Sequence, residues 1–207
     1  MIASLIVLVM LPAPTFRAVP NAWSRFHRWC VEAILGIAVR EEGPRPAGPA
    51  LYALKHESFF DAIDLGVLLK DPVPFGKEEL FRIPGWGRAA RAYGAIPVMR
   101  SAGAKGLRAM MAEAQGFAGS GRPLAIFPEG TRIPHGQRPP LRSGFAGLYK
   151  LLGLPVVPVA IDSGPTYKHW WKRRGTITIR FAEAIPPGLS REEIETRVHA
   201  AINSLND

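Results

Sequence analysis

The chain has 207 residues, 47% of them hydrophobic and 21% charged, which suits one domain with its own core and excludes global disorder. Lys and Arg number 26 against 17 Asp and Glu, and the net charge of +9 points to an anionic partner: nucleic acid, an acidic carrier, a phosphorylated substrate or a charged lipid surface. The single cysteine, Cys30, excludes an internal disulfide and a cysteine-rich zinc module.

Met1 to Leu11 is apolar apart from Ser4, and Pro12 and Pro14 end it. It is shorter than the roughly 20 apolar residues that cross a bilayer as a helix, and it lacks the basic start and small-residue cleavage site of a signal peptide. Asn21 to Arg40 sets Trp23, Phe26, Trp29, Val31, Ile34, Leu35 and Ile37 among Arg25, Arg28 and Glu32, the pattern of an amphipathic helix. Two readings fit it: a helix lying in a membrane interface, or one packed on a core. The Pro- and Gly-rich stretch 41–49 reads as a hinge. It separates a membrane-associating helical segment, residues 1–40, from a main domain, residues 50–207.

Strands and helices then alternate. Ala50 to Leu54 reads as a strand, and Ser58 to Leu69 as a helix capped by Ser58 with Asp61 in its first turn. Val73 to Phe75 and Ala95 to Met99 read as strands on either side of a helix over Trp86 to Tyr93. Ala104 to Phe117 is helical, Leu124 to Phe127 a strand and Phe145 to Leu152 a helix. Val156 to Ile161 is an apolar run suited to a buried strand, although Pro158 argues for an edge or a bulge. Thr176 to Phe181 alternates as a strand does. Ser190 with Glu193 opens a last helix whose Ile194, Val198, Ala201 and Leu205 share a face. The order predicts an α/β domain with a mostly parallel central sheet flanked by helices.

In such a sheet, chemistry collects where strands end and helices begin. After the first main-domain strand comes Lys55-His56-Glu57-Ser58-Phe59-Phe60-Asp61. His56 sits at the corner and Asp61 in the first helical turn, so Asp61 is within reach of one imidazole nitrogen and leaves the other as a base. No Gly-x-Ser-x-Gly elbow occurs in the chain, and Cys30 has no evident activating partner. The nucleophile is therefore expected on the substrate, as a hydroxyl. Lys77, Arg100 and Arg132 each follow a strand candidate, and three cations on one sheet edge beside a base form a candidate phosphate site.

Read in order, KHESFFD, GAIPVMR, FPEGTR and VVPVA resemble the four motif blocks of the glycerolipid acyltransferase superfamily, closest to the bacterial 1-acyl-sn-glycerol-3-phosphate acyltransferases. The resemblance runs from about Leu51 to Glu183. Two departures stand out: Lys55 occupies a position where the family commonly has Asn, and the N-terminal region is short for the family. The resemblance implies that His56 is the general base and Asp61 its orienter. The acceptor would be the hydroxyl of lysophosphatidic acid, attacking the thioester of acyl-coenzyme A or acyl-carrier protein without an acyl-enzyme to give phosphatidic acid. Lys77, Arg100 and Arg132 would hold the acceptor's phosphate. Glu129, Gly130 and Thr131 would shape the turn and help place the glycerol and Arg132, and Gly94 would let the backbone come close. No metal and no cofactor beyond the acyl donor is implied.

The same reading implies a membrane partner, since a two-tailed product leaves into a bilayer. Lys168 to Arg174 reads KHWWKRR, and adjacent Trp residues among cations suit an anionic headgroup surface. The expected location is the cytoplasmic face of the cell membrane, peripheral or monotopic. Nucleic acid is not expected as a partner: no zinc spacing, RNP-like signature or basic helix occurs. Gly85-Trp86-Gly87-Arg88-Ala89-Ala90 matches a dinucleotide fingerprint only in part, with no clear strand before it. A hydrolase, an acyltransferase for another lysolipid such as a lyso-ornithine lipid, and a non-catalytic lipid-binding protein remain as alternatives.

Overall fold

The computed structural model describes residues 13–45, 48–99, 103–168 and 170–206; the Met1 to Leu11 run and Arg100 lie outside the described residues. The first helix, α1, is Ala13–Trp29, and it runs into one π turn, Cys30–Ile34. Gly36, at φ +65°, takes a left-handed conformation that turns the chain out of the helix. The expected helix therefore ends short of Arg40, and Ile37–Glu42 forms an edge strand, β1. The chain continues through β2 (Leu51–Leu54), α2 (Phe59–Ile63), α3 (Leu65–Leu68), β3 (Val73–Lys77), α4 (Glu78–Phe81), α5 (Trp86–Tyr93) and β4 (Ile96–Val98). It ends with α6 (Gly103–Ala118), β5 (Leu124–Ile126), α7 (Gly144–Leu152), β6 (Val156–Ile161), β7 (Gly175–Phe181) and α8 (Arg191–Ile202).

The seven strands form one sheet in the order β1-β7-β6-β2-β5-β3-β4. β2, β3, β4, β5 and β6 are mutually parallel. β7 runs antiparallel to β6, and β1 follows β7 in parallel. Side chains alternate across the sheet. Leu51 and Ala53 join Met110, Phe145, Leu148, Ile194 and Val198 under α6, α7 and α8, whereas Tyr52 and Leu54 join Val31, Phe60, Leu65 and Leu68 under the opposite layer. Both faces are covered, which is why β2 and β6 are wholly apolar runs.

Pro158 sits in an interior strand, contrary to one of its two expected settings. The other is met: from Val159↔Phe181 to Val156↔Ile185, β6 advances three residues while its partner chain advances four. The extra residue bulges the partner opposite a proline that has no N–H to donate.

Helix α1 docks through a narrow strip. Ser24 Oγ donates to Ile63 O at 2.7 Å, Asn21 Nδ2 to Asp71 Oδ1 at 2.6 Å, and Arg28 Nε to Asp64 Oδ1 at 2.7 Å. Its other face leaves Trp23, Phe26 and Trp29 more than half exposed. The reading of a helix packed on the domain is thus met on one face, while the aromatics of the other are exposed to solvent. Among the described residues no helix is long and apolar enough to cross a membrane.

Topology sets where the site falls. The C-terminal ends of the five parallel strands share one edge, and because β7 is reversed, its N-terminal end and the preceding loop from Ser163 return to that edge.

Candidate active site

The corner after β2 is built by local capping. Ser58 Oγ accepts from Phe60 N at 3.1 Å, and Asp61 Oδ2 accepts from Ser58 N at 2.8 Å and Glu57 N at 2.7 Å. This capping box folds the Asp61 carboxylate back beneath the corner, where it is buried. The same Oδ2 lies 3.0 Å from His56 Nδ1, and Oδ1 accepts from Ser163 Oγ at 2.6 Å. A carboxylate only accepts, so Nδ1 carries the proton and the neutral ring keeps its lone pair on Nε2. The imidazole lies on Phe127 with ring centroids 4.1 Å apart, which fixes its plane. Among the described residues His56 Nε2 has no hydrogen-bond partner.

The turn after β5 carries Glu129, Gly130, Thr131 and Arg132. Gly130 adopts φ +73°, and its N–H closes the turn on Phe127 O at 2.9 Å. Glu129 points inward: its carboxylate bonds Lys55 Nζ at 2.7 Å, and both side chains are fully buried. Glu129 Oε2 also faces His56 N at 3.4 Å. It therefore shapes the turn and makes no opening toward a substrate, whereas Thr131 is partly exposed beside it. Lys55 spends its other two donors on Asn203 Oδ1 at 2.8 Å and Gln137 O at 3.0 Å. A buried pair with every donor satisfied escapes the several kcal/mol that an unpaired buried charge costs.

Arg132 lays its guanidinium over the Phe59 ring, 3.9 Å from the centroid. It opens onto a cavity of about 550 Å³ that Glu57, Phe59, His135, Lys168 and Lys172 also line. Burial pushes the Glu57 carboxyl above its ordinary range, against the Gly164 N–H and His135, which favour its charge.

The other expected residues divide. Lys77 ends β3 on the same sheet edge, exposed, with β5 between its strand and β2; it does not line the cavity. Gly94 precedes β4, on the opposite edge from His56. There it caps α5 at φ +98°, and a Cβ would meet Arg122 Nη1 at 2.6 Å. Its glycine is demanded by that cap and by the close approach of Arg122.

Four site residues escaped the sequence reading: Lys55, Glu57, His135 and Ser163. Ser163 obeys the rule that found the others, a polar residue just past a strand end. Its partner Asp61 is 102 residues away in sequence, so nothing local announced the contact.

The profile of the family described as Acyltransferase matches residues 36–162. The 1-acyl-sn-glycerol-3-phosphate acyltransferase of Pseudomonas aeruginosa is 30% identical over 192 residues, which take in 91% of this chain and 73% of that protein. A protein of the same description from Chlamydomonas reinhardtii is 27% identical over 172 residues, covering 81% of this chain and 52% of its own length. The chain thus spans between about half and three quarters of these two relatives. Among solved structures, the 1-acyl-sn-glycerophosphate acyltransferase of Thermotoga maritima superposes with a TM-score of 0.72 at 21% identity, over 98% of this chain and 87% of that one. That likeness is one of fold.

Proposed function

This chain belongs to the acyltransferase family, and from that premise we propose that it moves an acyl chain from a thioester to the free hydroxyl of 1-acyl-sn-glycerol 3-phosphate, forming phosphatidic acid. The observation that carries the reading is an imidazole whose Nδ1 is anchored on buried Asp61 while its Nε2 has no hydrogen-bond partner among the described residues. The two hydroxyls bonded into this network, Ser58 and Ser163, are buried and engaged with one another and with Asp61.

His56 Nε2 takes the proton of the acceptor hydroxyl as its oxygen attacks the thioester carbonyl. The tetrahedral adduct collapses with cleavage of the C–S bond, and the imidazolium returns the proton to the departing thiolate. Asp61 stabilises the imidazolium between these steps. General-base help is worth roughly 10²–10⁴-fold, so holding acceptor and donor in line supplies much of the remaining rate. Arg132 and Lys77 are the described cations assigned to the acceptor's phosphate, with Arg100 as the third.

The protein works on a membrane surface, as a monotopic enzyme on the side from which the thioester donor is supplied. Support comes from the exposed aromatics of α1 and from Trp170 and Trp171, which are 82% and 78% exposed beside Lys168 and Lys172. Purified protein offered a matrix of lysolipids with acyl-coenzyme A and acyl-carrier protein tests the function. Thioester consumption that depends on lysophosphatidic acid supports it. Consumption without acceptor indicates a hydrolase, and none with any acceptor a binding protein.

A further inference from the structure

The cavity beside Arg132 is lined by one imidazole, His135, anchored as His56 is; His56 itself is not among the lining residues. His135 Nδ1 lies 3.0 Å from Glu57 Oε1 and 3.3 Å from Oε2. The Glu57 side chain is 1% exposed, and its Oε2 also accepts from Gly164 N at 2.8 Å. Ser163 and Gly164, consecutive residues past β6, thus hold Asp61 and Glu57, and each of those carboxylates holds a histidine. Because Glu57 accepts at Nδ1, the working nitrogen of His135 is Nε2, which has no hydrogen-bond partner among the described residues.

The two rings differ in their surroundings. His56 lies flat on Phe127. His135 shares its cavity with Arg132, Lys168 and Lys172. The charged groups facing it are those three cations, Glu57 from the β2–α2 corner and Asp162 at the end of β6. A concave site with three cations and an imidazole aimed into it suits a phosphate, whose oxygens take charge-assisted hydrogen bonds from several directions. It does not suit a hydroxyl awaiting deprotonation.

We propose that His135 binds phosphate as the doubly protonated imidazolium, its Nδ1–H held by Glu57 and its Nε2–H given to the ligand, and completes, with Arg132, a subsite for a phosphate monoester. The proposal rests on the acyl-transfer reading and deepens it. Two phosphate monoesters attend that reaction: the acceptor's own phosphate and the ribose 3′-phosphate of a coenzyme A donor.

Binding of glycerol 3-phosphate to the whole chain, followed through the His135 imidazole resonances and by calorimetry, tests the subsite without turnover. The ligand is expected to shift the His135 Nε2 signal. H135Q is expected to bind it about tenfold more weakly, and H135R to restore most of the affinity, with the unfolding midpoint unchanged in both. Unaltered binding by H135Q, or an unmoved His135 signal, overturns the proposal. Kinetics then identify the source. A raised KM for lysophosphatidic acid alone assigns the acceptor's phosphate; a raised KM for acyl-coenzyme A, with acyl-pantetheine unaffected, assigns the donor's. A fall in kcat with every KM intact overturns a binding role. Failure of the wild-type protein to acylate any lysolipid would remove the functional reading, while the glycerol 3-phosphate result would still decide the subsite.

Discussion

The peptide N–H of Ile133 donates to the carbonyl oxygen of His56 at 2.7 Å, tying the base to the residue that follows Arg132. The corner after β2 and the turn after β5 are therefore one hydrogen-bonded unit. Beneath it lies the Lys55–Glu129 pair, and Glu129 also reaches back to His56 N. The proton-accepting group and the cation cannot shift independently without breaking main-chain bonds.

Replacing His56 by Ala is expected to remove roughly 10²–10⁴-fold of kcat, the share typical of general-base catalysis, while leaving the fold intact, because the half-buried ring rests on Phe127 and belongs to no core cluster. Asp61→Asn should lower kcat strongly as well. It also costs about 1–2 kcal/mol of stability, since Asp61 accepts from two backbone N–H groups and from Ser163. Acyl-transfer assays alongside urea unfolding separate the two effects. A folded H56A enzyme with near-normal turnover would contradict the assignment.

Lys55→Met leaves the Glu129 carboxylate buried without its counter-charge. The expected loss is roughly 3–5 kcal/mol, read from the urea midpoint. K55M combined with Glu129→Leu should recover much of it, because no charge is then stranded. If K55M alone unfolds at the wild-type midpoint, the pair does not hold the turn.

Sedimentation with anionic vesicles checks the membrane surface. Replacing both Trp170 and Trp171 by Ala removes two large side chains that bury little against the protein, so its stability should hardly change while vesicle binding falls several-fold. Wild-type binding should weaken as salt rises, in keeping with the cations of the same loop. Equal binding by the double variant would exclude this loop from the contact.

His27 gives the fold a pH dependence. It projects from α1 against Phe60 and Tyr167, whose hydroxyl lies 2.9 Å from Nε2, and its buried Nδ1 has no partner among the described residues. Burial holds its pKa below the ordinary 6.5. Above that pH both folded and unfolded chains carry the ring neutral, and it contributes nothing. As pH falls through 6.5 the unfolded chain takes up a proton that the folded chain resists, so stability drops until the folded value is passed. Between pH 7 and pH 5 the wild-type Tm should therefore fall relative to that of H27Q, and parallel curves would refute it. Burial raises the Asp162 carboxyl in both proteins alike, so its effect cancels, whereas Asp64 lies in the field of His27 and the difference reports the two together.

The central strands and most helices were readable because each is a local apolar run between turn residues. Trp86–Tyr93 and Val156–Ile161 fall where periodicity placed them. β1 was not readable: of its six residues only Ile37 is buried, and its one strand partner, β7, lies about 140 residues away. The helix expected over Ser58 to Leu69 is divided at Asp64, whose carboxylate is drawn to Arg28 of α1, a contact that exists only once the layers meet. In the site, His56, Asp61 and Arg132 follow from their positions past strand ends. Glu129 enters only through the family resemblance, and whether a side chain turns outward or inward is decided by what lies beneath it. Here that is Lys55, a lysine no hydropathy pattern would bury.

The reversal of β7 has an evolutionary corollary. A parallel β7 would have required the chain to cross to the far rim of the sheet before re-entering. The antiparallel return instead brings the segment between β6 and β7 back beside the reaction centre, held to the two carboxylates by Ser163 and Gly164 and to α1 by the Tyr167 hydroxyl at His27. Substitutions at its exposed Lys168, Trp170 and Trp171 leave strand register alone, so one inverted strand gives the scaffold a place to diversify while the groups held by Ser163 and Gly164 stay fixed.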